Sequence, residues 1–202
     1  MTIAVLDYDS GNLHSVSRAI AKVGGDVLVT SDPAEVARAD AIVIPGVGHF
    51  GQCVRALAAR GLDRAATAFV ATGRPVVGVC VGMQILYRRS EESEAAGLGL
   101  LPGDVRRLPG DVKVPHMGWN TVSWRRPHPY VAGIDDGSYL YFVHSFAPEV
   151  DDAVTIGVTE HGRPFASVVA RDTVFATQFH PEKSGDAGLQ LYENVVEAVA
   201  SA

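Results

Sequence analysis

Pro75-Val76-Val77-Gly78-Val79-Cys80-Val81-Gly82-Met83-Gln84 joins a β-branched run to a glycine-x-cysteine-x-glycine turn and then to the helical pattern Met83-Gln84-Ile85-Leu86-Tyr87. Strand, sharp turn and helix in that order make the elbow on which α/β enzymes raise a nucleophile above a sheet. The small neighbours let the chain pack around a strained backbone. A thiol at this place is expected at a helix N-terminus, where unpaired N–H groups and the helix dipole favour the thiolate. Free cysteines are more often small core residues. That plainer reading suits Cys53, which lies in an uninterrupted helical pattern. A lone elbow pentapeptide also arises by chance, so Cys80 needs support from elsewhere in the chain.

Outward from the elbow, the first half alternates short apolar runs with helical segments. Ile3–Asp7, Asp26–Thr30, Ala41–Ile44 and Pro75–Cys80 read as strands. Asn12–Val23 reads as a helix with Leu13, Val16, Ala19, Ile20 and Val23 on one face, and Pro33 opens another. Near-continuous apolar strands separated by helices predict a parallel sheet covered on both faces. After Gly97 the rhythm changes. Val114–Trp124, Tyr139–Val143, Val154–Thr159, Phe165–Ala170 and Val174–Gln178 read as shorter strands, Gly97–Asp111 as the loosest stretch, and 187–200 as a closing helix. The expected fold class is therefore α/β, with a mainly parallel central sheet, helices on both faces and an antiparallel extension in the C-terminal half. One domain over residues 1–202 is expected, since no repeat or linker divides the chain.

The bulk properties narrow the function. A hydrophobic fraction of 47%, a charged fraction of 20% and a net charge of −6 fit an ordinary globular enzyme. They argue against nucleic acid or membrane as partner. No signal peptide or membrane-spanning run is evident, which predicts a cytoplasmic protein. The two cysteines have no spacing that suits a disulfide framework or a zinc site, so no metal is expected.

Two further signals support Cys80. Gln178-Phe179-His180-Pro181-Glu182 stands at the end of the last predicted strand. A cysteine nucleophile needs a base, and the base needs a group that fixes its tautomer and stabilises its charged form. His180 and Glu182 straddle a proline that limits their backbone freedom. A strand-end His and a strand-end Cys in one parallel sheet emerge on the same carboxyl edge. Pro45-Gly46-Val47-Gly48-His49-Phe50 follows the third strand and could present backbone N–H groups to an oxyanion. An ordinary turn or a phosphate cradle are the alternatives, and the loop lacks the residues of a P-loop. His14, His49, His116, His128, His144 and His161 have no metal spacing and read as structural or exposed.

Pro-Gly-x-Gly, Gly-x-Cys-x-Gly-Met-Gln and Gln-Phe-His-Pro-Glu, in this order over nearly the whole chain, resemble the class I glutamine amidotransferase family. The segments Arg88-Arg89-Ser90-Glu91-Glu92, Pro115-His116-Met117-Gly118-Trp119-Asn120, Tyr141-Phe142-Val143-His144-Ser145-Phe146 and His180-Pro181-Glu182-Lys183-Ser184-Gly185 sharpen the resemblance. With Asp7-Tyr8 and Gly11-Asn12-Leu13, they look like the glutaminase subunits of imidazole glycerol phosphate synthase, from histidine biosynthesis. Departures from the common pattern are Val81 for Leu, Phe146 for Tyr, a bulkier His49, and Asp9-Ser10 before Gly11.

The resemblance implies a glutaminase with Cys80 as nucleophile, His180 as base and then acid, and Glu182 orienting His180. Gly46, Val47, Gly48 and the Val81 N–H would serve the oxyanion; Gln84, His144 and Ser145 would help hold glutamine. It implies no cofactor. It implies one partner, a (β/α)8-barrel cyclase subunit in a heterodimer, which receives the ammonia. Asn12, Met117, Trp119, Tyr141 and Lys183 are the candidate partner-facing residues, with Met117 and Trp119 as core residues in the alternative. Competing functions are a glutaminase for another synthase such as that of the pyridoxal phosphate pathway, a non-catalytic module on the same fold, and, remotely, a cysteine protease or esterase.

Overall fold

The computed structural model describes residues 1–9 and 11–201, so Ser10 of the Asp9-Ser10 pair lies outside the described residues. In chain order the first half runs β1 (Ile3–Leu6), α1 (Leu13–Lys22), β2 (Val27–Thr30), α2 (Pro33–Arg38), β3 (Ala41–Ile44), α3 (Phe50–Ala59), α4 (Leu62–Val70), β4 (Val76–Val79) and α5 (Val81–Gln84). The second runs β5 (Tyr87–Ser90), β6 (Leu101–Arg107), β7 (His116–Thr121), β8 (Ser123–Trp124), β9 (Tyr139–His144), β10 (Phe146–Pro148), β11 (Thr155–His161), β12 (Arg163–Arg171), β13 (Val174–Thr177) and α6 (Gly185–Ala200).

Every residue of β1, β3, β4 and β13 is buried, as parallel strands covered on both faces require. They lie in an eight-stranded sheet of order β2-β1-β3-β4-β13-β12-β11-β8. The first five strands are mutually parallel, and β12, β11 and β8 continue the sheet antiparallel. The helices form two groups, α1 against α6, and α4 against α2 and α3. The α/β class with its antiparallel C-terminal extension is thus as the sequence predicts. No helix among the described residues is long and apolar enough to cross a membrane.

Position along the sheet matters most for function. The chain ends of β1, β3, β4 and β13 share one edge, because these strands are parallel neighbours. Asn12, the Pro45–Gly48 loop, Cys80 and His180 follow those four strands, so the topology collects them before any side chain is considered.

Three expectations need correction. The helix after the elbow is only the four residues of α5, and Tyr87 opens a strand. The Ile85 and Leu86 carbonyls, which a longer helix would use itself, accept from Leu98 N at 2.7 Å and Leu100 N at 2.8 Å. Pairing with the following segment overrides local helical pattern. Gly97–Asp111 is not merely loose, because it contains β6, parallel to β5 and antiparallel to β10 in a separate three-stranded sheet. Val114–Trp124 is two strands in two sheets: β7 pairs with β9, and β8 with β11.

Candidate active site

Cys80 leaves β4 with φ 55° and ψ −112°, a left-handed conformation costly for a side-chain-bearing residue. The elbow holds because two glycines let backbone meet backbone. A Cβ on Gly82 would lie 1.8 Å from the Ile44 oxygen, and one on Gly46 would lie 2.5 Å from the Gly82 nitrogen. The loop after β3 is therefore seated directly on the elbow. The expected contribution of a long helix dipole to Cys80 is absent, since α5 is a single turn.

Cys80 is 2% exposed and lines a cavity of about 270 Å³ with Val47, Gly48, Gln84, Glu92 and His180. The Val143 carbonyl oxygen lies 3.9 Å from the sulfur, and the Gln178 amide donates to it over 3.8 Å. His180 is held by its backbone N–H, which donates to the Tyr141 oxygen at 2.9 Å, and by its Nδ1, 2.6 Å from Glu182 Oε1. Its Nε2 is buried without a hydrogen-bond partner among the described residues.

The electrostatics of His180 are lopsided. Burial pulls its pKa down, yet the electrostatic pull of Cys80 and the bond and attraction to Glu182 together hold it up at about 10. Glu182 is in turn braced by Asn12 Nδ2, which donates to Oε1, and by the Tyr192 hydroxyl, which donates to Oε2 at 3.4 Å.

The Pro45–Gly48 loop rests with the Gly46 oxygen accepting from Val81 N at 3.3 Å. The Val81 donor assigned to an oxyanion is thus occupied in this conformation. Gln84 lines the cavity, but its amide nitrogen donates to Phe146 O at 2.8 Å and to Gln178 Oε1 at 3.1 Å. It braces the wall as well as facing the cavity. His144 and Ser145 line the same wall.

Behind that wall lies a run of neutral imidazoles. Burial holds His144 at a pKa of about 3 and His116 at about 4, with further lowering from neighbouring histidines. The Phe146 carbonyl can only accept, so His144 Nδ1–H donates to it at 2.9 Å. His144 Nε2 then accepts from His116 Nδ1–H at 2.9 Å, and His116 Nε2 from Asn120 at 3.1 Å. One hydrogen-bond direction is thereby imposed from Asn120 to the cavity wall. His49 instead caps α3, accepting from Gly51 N at 3.1 Å. Phe146 lies 5.8 Å from the Arg107 guanidinium carbon.

Of the candidate partner-facing residues, Met117 and Trp119 are 62% and 55% exposed, side by side on β7, and are not core residues. Trp119 and Tyr141 have ring centroids 6.0 Å apart, and the Lys183 ammonium lies 5.9 Å from the Tyr141 ring. Asn12 is placed differently, with its amide turned inward to Glu182. Sequence reasoning missed Glu92, the one acidic side chain lining the cavity among the described residues, and the places of Gln178 and Tyr192 beside the Cys-His-Glu group. The acidic Glu91-Glu92 pair was the only signal for the first. Tyr192 gave none, being one aromatic in an amphipathic helix. No group of three or more His, Cys, Asp or Glu among the described residues could hold a metal.

A thiol on a strand-end elbow and a carboxylate-held imidazole thus line one cavity. Residues 4–198 match the family model of glutamine amidotransferase class-I, and the chain belongs to that family. Among curated relatives, imidazole glycerol phosphate synthase subunit HisH of Dechloromonas aromatica is 49% identical over 208 residues, covering 97% of this chain and 96% of that one. The same subunit of Bacillus cereus is 43% identical over 200 residues, with 97% and 96% covered. The chain is thus a member of the HisH group of glutamine amidotransferases. PurLQS from Thermotoga maritima, at 18% identity, TM-score 0.79 and 98% coverage of both chains, shares the fold.

Proposed function

We propose that this chain is the glutaminase half of imidazole glycerol phosphate synthase, working in the cytoplasm as a heterodimer with a (β/α)8-barrel cyclase. It would hydrolyse glutamine and pass the ammonia to the cyclase, which makes imidazole glycerol phosphate and aminoimidazole carboxamide ribotide in histidine biosynthesis. The observation that carries the reading is the meeting of Cys80 and His180 at one cavity, from strand ends far apart in sequence, with Glu182 bonded to His180.

In this mechanism the Cys80 thiolate attacks the side-chain amide carbon of glutamine. His180 Nε2–H gives its proton to the departing nitrogen as ammonia leaves and a γ-glutamyl thioester forms. His180 then takes a proton from water, which attacks the thioester and releases glutamate. Glu182 keeps Nδ1 protonated and stabilises the imidazolium, while Asn12 and Tyr192 hold Glu182 in place. Glu92 suits the substrate's ammonium group. The tetrahedral oxyanion needs Val81 N–H, so the Gly46–Val47 peptide must turn before that donor is free. The chain alone is then a slow glutaminase, and docking of the cyclase over Met117, Trp119, Tyr141 and Lys183 biases the loop toward the turned state.

The deciding assay measures glutamine hydrolysis with and without the liganded cyclase. The expected result is weak activity alone and strong stimulation in the complex. Cys80→Ala should lower hydrolysis by at least about 10⁴-fold yet leave synthesis from added ammonia. Intact hydrolysis by the Cys80→Ala complex would end this reading.

A further inference from the structure

Three consecutive carbonyls of the loop after β3 each accept a hydrogen bond from a different element. The Pro45 oxygen accepts from the Tyr8 hydroxyl, beyond the end of β1. The Gly46 oxygen accepts from Val81 N at 3.3 Å. The Val47 oxygen accepts from the Cys53 thiol, on α3, at 3.5 Å. A carbonyl shares a rigid plane with the next residue's N–H, so each bond fixes a whole peptide. The two outer planes are held by buried side chains, Tyr8 at 0% and Cys53 at 5% exposure. The middle plane is held by the donor that the reaction needs. It can rotate through ψ of residue 46 and φ of residue 47 without moving its neighbours, and Gly46 offers the wider range of backbone angles.

We propose that Tyr8 and Cys53 are positioning residues that clamp the outer peptides of the Pro45–Gly48 loop, so that only the Gly46–Val47 peptide turns when Val81 N–H is released. The inference rests on the glutaminase reading of the site. It assigns Cys53 a use other than filling core. Burial, aided by Cys80 and Glu92 and only partly offset by a hydrogen bond with Tyr8, pushes the Cys53 thiol up to about 11, so it remains an S–H donor near neutral pH. A clamped loop has two well-separated states and hence a low basal rate and a high stimulated one. An unclamped loop would drift, exposing Val81 N–H more often at rest and aligning it less well in the complex.

The test uses the full chain as Tyr8→Phe, Cys53→Ala and Cys53→Ser. Amide hydrogen exchange of Val81, followed by NMR without the cyclase, reads the loop directly; Val77 inside β4 is the control. Exchange at Val81 should quicken about 2- to 10-fold in Tyr8→Phe and Cys53→Ala, the population shift that one hydrogen bond commands. Val77 should not change, and Cys53→Ser should recover toward the parent. In the complex, the ratio of stimulated to basal hydrolysis should fall at least about 3-fold in the first two variants, with the KM for glutamine steady. Unchanged Val81 exchange, equal acceleration at Val77, or an unchanged ratio would each overturn the clamp. A parent complex without glutaminase activity would instead sink the reading of the site, and the exchange data would still decide the loop.

Discussion

Two buried histidines line the cavity, and they behave oppositely. His180 is held up at about 10 and His144 down at about 3. Desolvation lowers both, so burial does not distinguish them. Their partners do. His180 is bonded to the Glu182 carboxylate and feels the pull of Cys80, whereas His144 touches a carbonyl and another neutral imidazole. An imidazole among charges is ready to move a proton; one among neutral dipoles serves as a fixed strut.

The strongest way to break this contrast is at Glu182. Glu182→Gln keeps the shape but removes the charge and the preference for a protonated Nδ1. Glutamine hydrolysis by the complex should fall about 10²- to 10⁴-fold, and an NMR titration should show the His180 pKa moved down. A His180 pKa that stays near 10 in this variant would assign the whole elevation to Cys80.

The opposite arm is tested at His116. His116→Phe retains stacking with Phe142 and His161 but leaves His144 Nε2 without its donor. Calorimetry at pH 7 should show a loss of roughly 1–3 kcal/mol. The pH dependence carries a sign. Both imidazoles have folded pKa values below the ordinary 6.5, so their contribution is complete above 6.5 and is lost as pH falls through about 4 and then about 3. The variant should therefore lose less stability on acidification than the parent. An equally steep acid limb would show that the imidazole run is not what titrates.

The smallest effect on the chain itself is expected on the outer face of β7. His116 faces inward, while its neighbours Met117 and Trp119 face solvent. Trp119→Ala should leave the melting temperature of the isolated chain nearly unchanged and weaken cyclase binding about 10-fold or more, measured by calorimetric titration. Unchanged affinity would move the docking face elsewhere.

Much of the first half was legible because its strands are uniformly apolar and its helices one-sided, patterns that hold wherever the segment is placed. Ala41–Ile44 came out with its observed ends. The elbow was legible because glycine is demanded by close backbone contact, not by preference. The failures share a cause. The Ile85–Tyr87 segment reads as helix locally but is recruited by Leu98 and Leu100. The β6 residues bury only Leu101 and Val105, four apart, among glycine, proline and charge, so their pairing with β5 and β10 leaves little mark on the pattern. Asn12 read as a surface residue because nothing near it in sequence announces Glu182.

The sequence by itself determined a sheet with a cysteine elbow, the His-Pro-Glu partner and the family they belong to, because those depend on short-range backbone chemistry and spacing. Only the tertiary structure decided which buried histidine carries charge, that Val81 N–H is occupied at rest, and that Tyr8, Val81 and Cys53 share out the carbonyls of one loop. Hydrogen-bond partners and local charge depend on groups brought together from distant strand ends, and no periodicity along the chain records who meets whom.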